Sequence, residues 1–242
     1  MERLREILKT SVRPTVLDVG TGQGFFIKTL LEYLSSYEFI IGIDTKEEVL
    51  AKAREIHKND RIKFISMDGE NIHFEDNSMD IVCISNTLHH LPNKKKVLME
   101  MKRVLKTNGF FIVNEMFCDN QSQKQLSHVQ LHHLQGELDT LLDICHNKTF
   151  TMQQLTDIVE DIDLKIERIF EYNTSEEQAG ETKPDEEVQM LDECFAALEI
   201  KLEKIKGFPE YGKYEAILNE LKKELYNVGF FTASELMIVC KK

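Results

Sequence analysis

Val16-Leu17-Asp18-Val19-Gly20-Thr21-Gly22-Gln23-Gly24 carries an apolar, branched run into three glycines at alternate positions, and Phe25-Phe26-Ile27-Lys28-Thr29-Leu30-Leu31 follows directly. That order predicts a buried strand, a tight turn and the start of a helix. Glycine suits such a turn because the backbone bends sharply there. A Cβ would also hold a ligand away from the N–H groups at the helix N-terminus. A plain strand-to-helix turn uses the same residues, so the flanking sequence has to separate a ligand cradle from a simple bend.

Downstream, Phe39-Ile40-Ile41-Gly42-Ile43-Asp44 reads as a second apolar strand ending in a carboxylate, 26 residues after Asp18. An acid at the tip of the second strand of a βαβ unit can accept hydrogen bonds from a ribose diol. The competing role for Asp44 is an N-cap for the helix that begins near Lys46, a task that Thr45 could share. The glycines run Gly20-x-Gly22-x-Gly24, with Phe25 where a dinucleotide fingerprint wants its third glycine, which weighs against a nicotinamide or flavin dinucleotide.

The turn resembles the first motif of class I S-adenosylmethionine-dependent methyltransferases, whose ligand sets its amino-acid tail against the glycines. The resemblance continues through Ile62-Lys63-Phe64-Ile65-Ser66 and Met67-Asp68-Gly69-Glu70, then the run Asp76-Asn77-Ser78-Met79-Asp80 leading into a fourth strand. Ser85-Asn86-Thr87-Leu88-His89-His90-Leu91-Pro92 forms the polar loop after that strand. A helix over Val97–Lys106, stopped by Asn108-Gly109, precedes the strand Phe110–Glu115. The match covers residues 14–115 and is closest to the type 11 group, which includes the ubiquinone and menaquinone biosynthesis methyltransferases. It implies an α/β, Rossmann-like, doubly wound sheet of seven mostly parallel strands with an antiparallel last strand. It also implies S-adenosylmethionine as cofactor, with Asp18, Gly20, Thr21, Gly22, Gln23 and Gly24 at the amino-acid tail. Asp44 and Thr45 would serve the ribose, Met67, Asp68, Gly69 and Glu70 the adenine, and Asn86 the sulfonium end.

Strands and helices alternate up to Glu115, so right-handed crossovers give a parallel sheet covered on both faces. The glycine turn, Asp44, Asp68 and the 85–90 loop then all fall at strand C-terminal ends, where ligands bind in such sheets. The chain has 242 residues, within reach of a single domain that buries about three quarters of its unfolded surface. Residues 1–242 are therefore read as one domain with a cofactor-binding core over 14–115. Thirty Lys and Arg against 42 Asp and Glu leave a net charge of −12, a field that repels nucleic acid and anionic membranes. Five scattered cysteines without a C-x-x-C pair suit reduced thiols. With no apolar signal core at the start and no run of about 20 apolar residues, a cytoplasmic protein is expected.

Beyond Glu115 the pattern becomes helical, with Leu131, Leu134, Leu138, Leu141 and Leu142 on one stripe and a further helix from Thr151-Met152. Leu164–Phe170 alternates as a half-exposed strand, 173–187 reads as a polar linker, and Phe230–Cys240 reads as a closing strand. Members of the resembled family usually join their last two strands by a short turn. Here residues 172–229 intervene, too many for a structureless loop in a compact domain. Residues 117–160 and 176–226 are accordingly expected to form a helical cap, which is also where a homodimer would pair.

His128 and His132, four apart on one helical face, could hold a transition metal if a third ligand arrived from elsewhere. No partner motif supplies it, so no metal is expected, and this edge, continued by Gln135 and Asp139, reads as a polar boundary that could also line a substrate pocket. Methyl transfer requires mainly proximity and exclusion of water. Where the acceptor needs a base, His90 or His89 is the candidate by position. A small-molecule acceptor fits best, because no Asn-Pro-Pro-Tyr type loop follows the fourth strand. Two other classes stand beside this reading: a non-catalytic protein that binds S-adenosylmethionine, and an NAD-type oxidoreductase.

Overall fold

The structure is a computed structural model describing residues 2–172 and 184–242. Its elements run α1 (Glu2–Leu8), β1 (Thr15–Val19), α2 (Phe25–Tyr33), β2 (Phe39–Asp44), α3 (Glu47–Ile56), β3 (Ile62–Ser66) and β4 (Met79–Ser85). After a 3-10 turn at Leu88–His90 come α4 (Lys94–Val104), β5 (Leu105–Met116), α5 (Gln123–Leu141), α6 (Met152–Glu160) and β6 (Lys165–Tyr172). Helices α7 (Pro184–Lys204) and α8 (Tyr211–Val228) precede β7 (Glu235–Lys241).

Seven strands form one sheet in the order β3-β2-β1-β4-β5-β7-β6. β7 slots antiparallel between β5 and β6, and the other ladders are parallel. The strands are apolar on both faces because both are covered. Leu17, Val19, Val82, Ile84 and Val113 face α4 and α6 in one core layer. Their alternates Val16, Ile81, Cys83 and Ile112 face α1, α2 and α3 in the other. The strand order reverses between β1 and β4, which opens a crevice at their C-terminal ends.

A third apolar cluster lies off the sheet. Leu131, Leu134 and Leu138 of α5 pack with Leu191, Phe195, Leu198 and Leu202 of α7 and with Tyr214, Leu218 and Leu225 of α8. These helices therefore carry a core of their own. Ser122 and Thr151 cap α5 and α6 through capping boxes closed by Gln125 and Gln154.

Three local expectations are corrected. Helix α4 ends at Val104, not at Asn108-Gly109, because Leu105 already pairs with Met79 and Asn108 (φ 65°) turns the chain within the strand. The linker expected over 173–187 falls outside the described residues as far as 183, and from Pro184 the chain is helical. Proline is preorganised for a first helical position, and Asp185, Glu186 and Glu187 suit the positive end of the helix. The closing strand begins at Glu235, so Phe230–Ser234 precede the ladder.

Candidate functional site

At the crevice lies a cavity of about 570 Å³, in the range of small-ligand sites. Its floor comes from strand ends: Val19, Gly20 and Gly22 after β1, Asp44, Thr45 and Lys46 after β2, Met67, Asp68 and Gly69 after β3, and Asn86, Thr87, His90 and Leu91 after β4. Its roof comes from Gln135 and Asp139 of α5, Ile144 and Cys145 beyond it, and Lys201 of α7. The roof residues fall in the two stretches expected to form a cap, 117–160 and 176–226, and Thr87 in the 85–90 loop; which of their side chains reach the cavity depends on how those helices fold over the sheet.

Gly20 and Gly22 take left-handed backbone angles, φ 68° and 53°. A Cβ on Gly20 would strike Thr87, whereas one on Gly22 would meet nothing within 4 Å. The Gly22 backbone is thus open to a close-approaching group, as a tail-binding turn requires. Asp44 accepts from the Gly22 N–H and the Lys46 N–H, both at 3.0 Å, one on each oxygen. Its carboxylate therefore ties the glycine turn to β2 while keeping lone pairs for a diol. Lys46 occupies the N-cap position of α3 without a side-chain cap bond, so neither Asp44 nor Thr45 serves in that way. Asp68 accepts from the Glu70 N–H at 2.9 Å and likewise keeps acceptor capacity.

Six residues expected at the ligand stand outside the cavity lining. Asp18 is 1% exposed and lies beneath the turn, accepting from the Thr21 hydroxyl at 2.6 Å and from the Cys83 thiol. Burial pushes its pKa up to about 6. Thr21 is buried with its N–H on Ile43 O, and Gly24 O faces the His57 ring. Gln23 does not line the cavity. Glu70 turns outward to accept from Asn93 and pair with Lys96. His89 is buried behind the loop. Asn86 does line the cavity, but its amide donates to Glu235 and accepts from the Met116 N–H. Its side chain thus fixes the loop, and its backbone sits at φ 44°.

The polar loop is anchored by Glu115, fully buried at the end of β5. Its carboxylate accepts from the Thr87 N–H at 2.6 Å, from the Leu88 N–H, and pairs with His89 Nδ1 at 2.9 Å. His90 is exposed at the rim yet hemmed in by protein elsewhere; desolvation first, then the charges of His89 and His146, push its pKa down to about 3. An imidazole so lowered is a weak proton acceptor near neutrality, which counts against His90 as a general base.

The structure also gathers histidines that are far apart in sequence. His132 Nε2 lies 3.2 Å from His89 Nε2 and 3.1 Å from His146 Nε2. The His128/His132 pairing considered from spacing does not form a shared site: His128 Nδ1 accepts from the Ala233 N–H at 3.0 Å. A second cavity of about 320 Å³ lies between α5 and α7, lined by His128, Leu131, His132, Gln135, Leu198 and Phe230 among others.

With this geometry in view, the chain belongs to the methyltransferase domain family, whose model matches residues 11–190. That family implies S-adenosylmethionine as cofactor, and the open Gly22 backbone and the spare acceptor capacity of Asp44 and Asp68 fit such a ligand. The chain is 28% identical over 135 residues to sterol 4-C-methyltransferase strm-1 of Caenorhabditis elegans, covering 54% of this chain and 40% of that protein. It is 34% identical over 100 residues to demethylmenaquinone methyltransferase of Staphylococcus aureus, covering 41% of this chain and 42% of that protein. The chain thus spans about two fifths of the length of these curated relatives. The crystal structure of YcgJ from Bacillus subtilis superposes with a TM-score of 0.63 at 17% identity, over 100% of this chain and 97% of that one, a likeness of fold. Among the described residues no helix is long and apolar enough to cross a membrane.

Proposed function

We propose that the protein transfers the methyl group of S-adenosylmethionine to a small-molecule acceptor held beneath the cap. The observation that carries this is the single cavity onto which the glycine turn, Asp44 and Asp68 open from three successive strand ends. When bound, the cofactor supplies an electrophilic methyl carbon on a sulfonium. The Gly20–Gly22 backbone receives the amino-acid tail, Asp44 the ribose hydroxyls and Asp68 the adenine amino group. Met67 and Leu91 provide apolar walls. Asp139, paired with Lys201, joins Ile144 and Cys145 in closing the roof and excluding water.

In the transfer, a bond forms between the acceptor atom and the methyl carbon while the carbon–sulfur bond breaks and its electron pair stays on sulfur. The cap's task is to hold the acceptor within about 3–3.5 Å of that carbon. The names of the sterol and menaquinone relatives support small, largely apolar acceptors, and so does the apolar second cavity. The test is calorimetry with S-adenosylmethionine and with NAD, followed by labelled-methyl transfer to a panel of quinols, sterols and small phenols. Heat with the sulfonium ligand and label in a product are expected. No heat with that ligand refutes the proposal, and tight binding without label in any acceptor points to a regulatory protein instead.

A further inference from the structure

We infer that His89, His132 and His146 form a binding site for one divalent transition-metal ion of the zinc class. Their ligand nitrogens lie within 4.8 Å of one another, with the His132 edges at 3.2 and 3.1 Å. Nitrogens on a tetrahedral ion with bonds of about 2.0–2.1 Å stand about 3.3 Å apart. The three rings therefore need only small adjustments to receive one ion.

Proton accounting gives an independent reason. His89 Nδ1 faces the Glu115 carboxylate at 2.9 Å, and His146 Nδ1 faces Asp139 at 2.7 Å. A carboxylate only accepts, so each Nδ1 carries a proton and donates it. In the neutral rings, both Nε2 atoms then present lone pairs to His132 Nε2. One proton on His132 cannot serve two acceptors well, and with its proton on Nδ1 three lone pairs converge with no donor among them. Protonating His89 and His146, each beside its carboxylate, would instead aim two N–H donors at the single lone pair of His132 Nε2. One metal ion satisfies all three nitrogens together.

Carboxylates behind the ligands are the usual second support of a metal-bound histidine, fixing its tautomer and raising its basicity. Here two of the three ligands have one. Asp139 is itself held by Lys201, and the Asn147 side chain and N–H both donate to His89 O, at 3.0 and 2.8 Å. Imidazole donors suit zinc, copper, iron or nickel, and three protein ligands leave a fourth position for water or a substrate heteroatom. The ion would stand in the wall between the cavities, since His132 lines the apolar one and Asp139 the cofactor one.

This site goes beyond the methyl-transfer reading and does not depend on it, because the metal alone reports on it. The experiment titrates zinc chloride into the chelator-treated 242-residue chain against a chromophoric competitor, with cobalt(II) as a spectroscopic substitute. One equivalent of zinc and the visible bands of tetrahedral cobalt are expected. His132→Ala and His146→Ala should abolish stoichiometric binding, while His128→Gln should keep it. Glu115→Gln should weaken affinity by about 10–100-fold. Failure of the wild-type protein to take up one equivalent overturns the assignment whether or not the variants fold, and so does unchanged binding in a folded His132→Ala protein.

Discussion

Alanine at Gly22 and alanine at Gly20 should separate a residue that leaves room for a ligand from one that leaves room for the protein. Both glycines have positive φ, so either substitution costs about 1–2 kcal/mol of backbone strain. Nothing lies within 4 Å of a Cβ on Gly22, so strain should be the whole cost to folding there. On Gly20 the Cβ would overlap Thr87 Cγ2 and sit 2.8 Å from its Oγ1. Thr87 cannot easily withdraw, because its one hydroxyl proton is shared between Ser85 O at 2.8 Å and Gly20 O at 3.0 Å and its N–H is bound to Glu115. Overpacking of this kind adds about 1–3 kcal/mol, for a total of about 2–5 kcal/mol. At about 2–4 °C per kcal/mol for a chain of this size, Gly20→Ala should melt several degrees below Gly22→Ala. Gly22→Ala should nevertheless lose the greater share of S-adenosylmethionine affinity per unit of stability lost, since its methyl fills space the ligand needs. Thermal melts and calorimetry on the two variants decide the matter. Equal melting temperatures, or wild-type cofactor affinity in Gly22→Ala, would refute the reasoning.

Asp44→Ala should weaken cofactor binding by about 1–3 kcal/mol if a buried ribose diol is lost as a partner; unchanged calorimetric affinity would leave Asp44 as a brace for Gly22 alone. Asp18 has a folded pKa near 6 against about 4 when unfolded, so the native state holds a proton that the unfolded chain releases between those values. Stability should therefore fall by about 2–3 kcal/mol as pH rises through that window, a loss that Asp18→Asn lacks. In urea melts the gap between wild type and variant should shrink from pH 4 to pH 7, and a constant gap would contradict the assignment. Glu115→Ala strands the Thr87 and Leu88 N–H groups and should cost about 2–6 kcal/mol in the same assay, whereas a loss below 1 kcal/mol would mean that water or a shifted loop replaces the carboxylate.

What the sequence made legible was whatever local chemistry sets. The glycine turn and the acids at the ends of β2 and β3 announce themselves within a few residues. The strand order then brings these three together without further information. The burial of Asp18 was not legible, because an acid at a strand end next to a glycine turn looks the same whether it reaches a ligand or props the turn through Thr21. The histidine cluster was invisible for a different reason. His89 and His132 are 43 positions apart, and the spacing that did catch the eye, His128 with His132, joins residues whose partners lie elsewhere. Such a site exists only once α5 has folded down against the loop after β4, and no periodicity encodes that docking.

The floor and roof of the cofactor cavity are built differently, and this bears on how acceptor choice is made. Floor residues follow directly from strand ends locked in the ladders, so their positions are set by the sheet. Roof residues belong to α5, the stretch after it and α7, which pack through Leu134, Leu138, Leu198 and Leu202 into a cluster separate from both sheet layers. This assembly meets the sheet side through Asn147 on His89 O, through His132 and His146 beside His89, and through Val129 of α5 packed with Met116 of β5. Substitutions on the inner faces of α5 and α7 can therefore reshape the roof of this cavity while leaving the glycine turn and Asp44 where the sheet puts them. Under the proposed function, that division gives the cofactor to the strand ends and the choice of acceptor to the cap.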